Sequence, residues 1–351
     1  MIVESHTAVL RADEAIQARS DRRWFLSAML VATVLPAIGL SLQRFLDLAS
    51  VGQLNNGMAF LATGFHVALT SYFYVDPTLR EFRQSHRIRF VAAPIAICLA
   101  SGAVGYFLSP SLGWLILFFF IWQLYHYQRQ NFGVLAFAAA VLGVRRASLL
   151  EQSTVEMAGY AGILGYLATG HQFGGTPIGH ISAVLMIAAQ GTQLAALAIA
   201  GYCWWRRVRT EGLSWYSPWH VLCTSFFLAT FLQSDPNFAF STYAFAHGLQ
   251  YVVFMFVLAS SRAQNPRLHG PSALILAILG VFGSLILLLL GDRGLFAFSS
   301  DVAFGIYTGL VMTHFVIDAS VWRLSEPFQR SYVRDGFPMI WNDNTPRRPA
   351  A

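Results

Sequence analysis

His314 and Asp318 stand four residues apart in the apolar stretch 307–323, YTGLVMTHFVIDASVWR. That spacing is close to one helical turn, so both side chains leave the same face, and Tyr307, seven residues before His314, lies on it too. Ionisable groups at membrane depth are costly and usually face a protein interior or a wet cavity. Three more histidines in apolar runs carry polar residues at helical spacing: His66 with Thr63 and Thr70, His126 with Gln123, Arg129 and Gln130, and His247 with Tyr243, Gln250 and Tyr251. Such stripes mark helix faces turned inward, because lipid would leave these groups unpaired.

Taken singly, each histidine reads first as a hydrogen-bonded packing residue. Four at similar depth shift the weight to a shared site. The chemistry that uses such a set is metal binding, since neutral imidazole is the commonest nitrogen ligand and a His/Asp shell suits iron ahead of zinc, while copper(I) prefers sulfur. His66, His126, His247 and His314 are therefore the expected ligands. Asp318 is either a fifth ligand or the acceptor that fixes the tautomer of a ligating imidazole. A b-type haem held by two facing histidines is another cofactor reading.

His314, Asp318, Arg129 and Tyr251 are the expected catalytic groups. A His/carboxylate shell with open positions, sunk among aromatic residues such as Tyr72, Tyr125, Tyr127 and Phe118, suits an oxidoreductase of the oxygenase, hydroxylase or desaturase type. Its expected substrate is a lipid or isoprenoid entering from the bilayer, with an electron-donor protein on the cytoplasmic side. The alternative is a proton-coupled transporter, with His66, His247, His314 and Asp318 as the relay and Arg129 holding an anionic substrate. An enzyme needs the histidines gathered at one point, whereas a relay can be strung along a channel. Asp76, His86 and His220, at the cytoplasmic ends of spans, are lesser candidates; His6, His171, His180 and His269 are set aside.

Membrane fatty-acid desaturases and hydroxylases depend on tight histidine clusters, and the chain has no HxxH, HxxxH or HxxHH. Dispersed intramembrane histidines are more like those of bacterial carotene-cleaving enzymes, yet no motif longer than a residue or two is shared. No family is assigned from the sequence.

The elements that must position these residues are membrane helices. Of 351 residues, 56% are hydrophobic and 11% charged, against about 25% charged in soluble domains, and the mean hydropathy is +0.52. Continuous apolar runs near the roughly 20 residues that cross a bilayer recur along the chain, which excludes a barrel of alternating strands. The reading is an all-α integral membrane protein, a polytopic bundle of about ten spans near 24–42, 56–75, 90–108, 112–128, 155–169, 181–203, 218–232, 238–260, 272–290 and 300–322. Residues 1–23 form a polar N-terminal segment ahead of a retained first span, 24–322 the bundle, and 323–351 a polar tail, loose toward its end. Pro36 and Pro94 are placed to kink the first and third spans.

The apolar piece 131–144 is too short to cross and is taken as a continuation of the fourth helix, or as a re-entrant or interfacial piece hinged near Gly133. With that choice every arginine except Arg44 and Arg293 falls on one side, and the chain has 23 arginines and no lysine. So sharp a bias predicts both termini in the cytoplasm of a cell whose inner (plasma) membrane holds the protein. The formal charge of +6 thus reports topology, with no surface stripe for nucleic acid. Cys98, Cys203 and Cys223 lie in separate runs and read as small buried hydrophobes. The glycines of 159–165 predict close helix packing, followed by an outer loop at 170–179.

Overall fold

The computed structural model describes residues 2–45, 64–107, 112–169, 181–233, 236–266, 268–291 and 300–341. Among them there is no strand. The elements are α1 (Ile2–Phe45), α2 (His66–Leu69), α3 (Tyr72–Val75), α4 (Arg80–Ser85), α5 (Ala93–Phe107), α6 (Leu112–Leu142), α7 (Leu149–Ala168), α8 (Ser182–Glu211), α9 (Tyr216–Thr224), α10 (Ala229–Leu232), α11 (Pro236–Gln264), α12 (Ala273–Gly291), α13 (Ser300–Val321), α14 (Pro327–Gly336) and α15 (Pro338–Trp341). Among the described residues, five segments are long and apolar enough to cross a membrane: Ile88–Phe107, Ser182–Glu211, Phe238–Gln264, Ala273–Gly291 and Asp301–Val321.

Other expected spans take a broken form. The described part of the second is two short helices joined by a turn at Thr70 and Ser71, and the seventh is α9 and α10 joined through residues 225–228. Thr63 and the expected outer loop at 170–179 lie outside the described residues. The fourth span runs on without a break at Gly133, so 131–144 resolves into a helix continuation. At 31 residues α6 is about 46 Å long, well beyond the roughly 30 Å of hydrocarbon. Its far end is apolar because protein covers it: Leu135, Phe137, Ala138 and Ala139 are all buried. Gly143, at φ +64°, ends the helix with Val144 N–H donating to the Ala139 carbonyl and Gly143 N–H to that of Ala140, a closing pattern that glycine's left-handed conformation permits.

The N-terminal segment is helical and continuous with the first span, with no change of secondary structure at residue 24. The tail is helical as far as Trp341 and packed as far as Ile340, and its expected loose end lies outside the described residues. Tyr332, Val333, Phe337, Met339 and Ile340 join the largest core cluster, and Phe337 packs against Phe25, Phe137 and Phe254 at centroid distances of 5.9, 5.0 and 5.9 Å. These apolar residues sit at helical spacing inside a charged sequence, which hides them from an average.

Close approach explains the glycines. A methyl group at Gly159 would meet the Gln128 side chain at 2.4 Å, and one at Gly162 would meet Phe227 at 2.4 Å, so α7 packs tightly as 159–165 predicts. Tighter still is the crossing of α5 and α13, where a methyl at Gly305 would lie 2.3 Å from the Ser101 carbonyl and one at Gly309 2.8 Å from the Cys98 Cα. Pro94 removes a donor from the start of α5; a short π-helical stretch, Ile88–Ala92, precedes it, and the freed Phe90 carbonyl accepts the Tyr74 hydroxyl at 2.7 Å.

Candidate metal centre

His66 opens α2, His126 lies midway along α6, His247 midway along α11, and His314 and Asp318 lie on α13. The helices bring all five together. Around the four imidazoles, successive ring centroids are 4.9 Å apart from His66 to His247, 5.0 Å from His247 to His126, 4.9 Å from His126 to His314 and 5.1 Å from His314 to His66. The His247–His314 diagonal is 6.5 Å. Rings bound through one nitrogen at about 2.1 Å have centroids about 3 Å from the ion, hence roughly 4.5–6.5 Å from each other. The four ring-to-ring spacings fall within that range.

Possible ligand atoms fall into two groups, each within 4.8 Å of one another: His66, His247 and His314, and His126, His314 and Asp318. His314 belongs to both. All are buried, with His247 at 0% exposure and His126 the most open at 9%. The surroundings of these nitrogens are unusual for a sealed interior. Neither ring nitrogen of His247 has a hydrogen-bond partner, nor has Nε2 of His126 or of His314. Roughly nine in ten buried polar groups are paired, so several imidazole nitrogens without a partner at one place are donor atoms that a metal ion could satisfy.

Asp318 does not bond directly to a histidine. Its Oδ1 is 3.7 Å from His314 Nδ1 and its Oδ2 is 3.9 Å from His126 Nε2, both beyond hydrogen-bond length. Thr70 supplies the contact that Asp318 does not, with its hydroxyl 2.5 Å from His314 Nδ1. The Tyr251 hydroxyl donates to Asp318 Oδ1 at 2.7 Å and lies 3.3 Å from the Thr70 hydroxyl. The direct His314 to Asp318 bond that their spacing allows is thus replaced by a path through the turn after α2 and through α11.

Packing holds the rings. Phe315 lies against His126 at 4.6 Å and Tyr127 against His247 at 4.2 Å. Gln130 donates to the His247 carbonyl at 3.0 Å and to Gln250 Oε1 at 2.8 Å, and Gln250 donates to the Thr33 hydroxyl at 2.8 Å. That chain ties α6, α11 and α1 behind the site. Thr33 stands as a lone threonine in an apolar run, a weak signal that sequence reasoning passed over; Thr70 was visible as part of the His66 stripe, without a role.

Arg129 does not join the cluster. It is exposed, with its guanidinium 5.2 Å from the Phe132 ring centre. At about 100° per residue, position 129 lies roughly 60° to one side of His126 whereas Gln123 and Gln130 lie about 60° and 40° to the other, so Arg129 falls at the edge of the stripe. The lesser candidates serve the fold. Asp76 is fully buried, pairs with Arg262 at 3.0 Å and accepts the Tyr332 hydroxyl at 2.8 Å. Burial raises the Tyr332 hydroxyl pKa well above its usual range, so it serves as a donor. His220 Nε2 faces the Thr154 hydroxyl at 2.7 Å and the Glu151 carbonyl at 3.1 Å, and His86 Nδ1 faces the Phe82 carbonyl at 2.9 Å.

Compared with protein-family models, with curated proteins and with solved structures, the chain matches none.

Proposed function

We propose that the protein is a membrane metalloenzyme, an oxidoreductase that acts on a lipid or isoprenoid at a site built from His66, His126, His247 and His314. The observation that carries this reading is the closed ring of four buried imidazoles whose facing nitrogens include several with no hydrogen-bond partner. The gathering of four imidazoles favours an enzyme over a proton relay, which needs no such cluster, and Arg129, the anion-binding group of the transporter alternative, stands apart from them. An all-histidine shell with a carboxylate nearby favours iron, which when bound would supply dioxygen activation. The four imidazoles would hold the ion, and Phe315 and Tyr127, packed on two of the rings, would keep water from it. The aromatic wall suits an apolar substrate.

We also infer ten spans with both termini in the cytoplasm of a plasma-membrane protein. The arginine bias supports it, and so do contacts. Arg22 donates to the Met339 carbonyl at 2.5 Å, Phe82 stacks on Phe328 at 4.5 Å, Asp76 pairs with Arg262, and Arg145 pairs with Glu211 at 2.9 Å. With Phe137 against Phe337, these join all six segments that the bias assigns to one side.

Elemental analysis of the detergent-purified protein tests the metal. The expected result is near-stoichiometric iron in the wild type and its loss in a His247→Gln variant that elutes as a folded species. Dioxygen uptake with candidate apolar substrates follows for the loaded protein. A wild type that holds no metal after reconstitution with iron(II) or zinc would overturn the reading and make proton-coupled uptake in liposomes the next assay.

A further inference from the structure

The hydroxyls between His314 and Asp318 carry information that the four imidazoles do not. A tyrosine hydroxyl has one proton, and that of Tyr251 goes to Asp318 Oδ1. At the 3.3 Å contact between Tyr251 and Thr70, Tyr251 therefore accepts and Thr70 donates. With its only proton committed, the Thr70 oxygen can meet His314 Nδ1 only as an acceptor, at 2.5 Å. His314 Nδ1 thus bears the ring proton. The lone pair is left on Nε2, the nitrogen that has no hydrogen-bond partner.

We propose that Thr70 and Tyr251 are positioning residues that fix His314 as an Nε2 ligand, with Asp318 as the terminal acceptor of the chain and not a ligand itself. The inference rests on the metal reading above. It explains three features together: Asp318 stands 3.7 Å from the ring it was expected to orient, Thr70 occupies the turn that breaks α2 from α3, and Tyr251 follows His247 by one helical turn. The break matters because Thr70 reaches α13 from the same short segment that presents His66. One element therefore supplies a ligand and locks the tautomer of another, so His66 and His314 are set in common register. Residues that hold a ligating histidine in this way are typically worth about 10- to 100-fold in metal affinity.

Cobalt(II) titration of the full-length apoprotein in detergent gives the readout, without recourse to activity. Thr70→Val removes the hydroxyl at nearly constant shape and is expected to weaken cobalt binding by about 10- to 100-fold, while Thr70→Ser restores it. In the copper(II)-substituted protein, the electron spin-echo modulation from remote imidazole nitrogens should change in Thr70→Val and return in Thr70→Ser, a signature that a loss of packing alone would not move. Equal cobalt affinity and an unchanged echo pattern in Thr70→Val would overturn the proposal. Should that variant fail to fold, Tyr251→Phe breaks the same chain one link further out. Weaker binding there supports the relay, and wild-type binding overturns it. A wild type that takes up no cobalt overturns the metal reading itself, whereas a wild type that binds cobalt alongside an equally competent Thr70→Val sinks only the relay.

Discussion

Two buried histidines with opposite surroundings separate packing from ligation at the scale of single residues. His220 donates from Nε2 to the Glu151 carbonyl and the Thr154 oxygen, whose own proton goes to the same carbonyl at 2.8 Å. The Nε2 side of the ring is satisfied by protein. His220→Leu should therefore cost about 1–3 kcal/mol in unfolding free energy through the unpaired groups, with metal content unchanged. His247 lies in the reverse situation, with neither ring nitrogen hydrogen-bonded. His247→Gln should abolish metal retention while the unfolding midpoint of the metal-free protein stays near that of the wild type. Parallel thermal melts and elemental analyses check both. A His220 variant that loses metal, or a His247 variant that keeps it, would reverse the assignment. The four histidines could be picked out of the sequence because each lies in a polar stripe of its own helix. The role of Thr70 could not, since it depends on how two elements far apart in the chain pack, and helical periodicity says nothing about that.

At the scale of elements, the position of His314 and Asp318 depends on how closely α13 approaches α5. Gly305 and Gly309 are four residues apart, face Ser101 and Cys98, and admit no side chain without displacing backbone. Small residues at this spacing let membrane helices approach closely, where van der Waals packing replaces the hydrophobic drive that lipid cannot supply. Gly305→Val should push α13 outward, lowering metal content together with thermal stability, whereas the same change at Gly201, where a methyl would meet nothing within 4 Å, should leave metal content intact. Metal analysis of the two variants, each purified as a monodisperse species, decides. The sequence revealed the close packing of 159–165 through three glycines but not this crossing, because two glycines in a long apolar run stand out less. The extension of α6 was one of several readings, since apolar residues look alike whether protein or lipid covers them.

For the whole molecule, sidedness and buried charge are one question. Asp76 and Arg262 are 0% and 1% exposed at their side chains, and through Tyr332 the pair ties the 76–89 loop to α11 and α14. An uncompensated buried charge typically costs about 3–5 kcal/mol, so Asp76→Asn should destabilise the protein by about that much and loosen the end where the assigned cytoplasmic segments meet. Arginine bias assigns these segments to one side from sequence, and the contacts among them gather them at one end of the bundle, because residues that pack together cannot lie on opposite faces of a membrane; which compartment that end faces rests on the bias. A cysteine placed at the exposed Ser85 should then react with an impermeant maleimide in inside-out vesicles and not in intact cells, while Thr176→Cys, on the side assigned as outer, should react in intact cells. Labelling of Ser85→Cys from outside would invert the topology. The proposed metal site would survive that inversion, since its ring of imidazoles depends only on helix packing, but its Asp318 end would then face away from the cytoplasm and the proposed electron donor there could not serve it. Sidedness therefore decides which partners the centre can have.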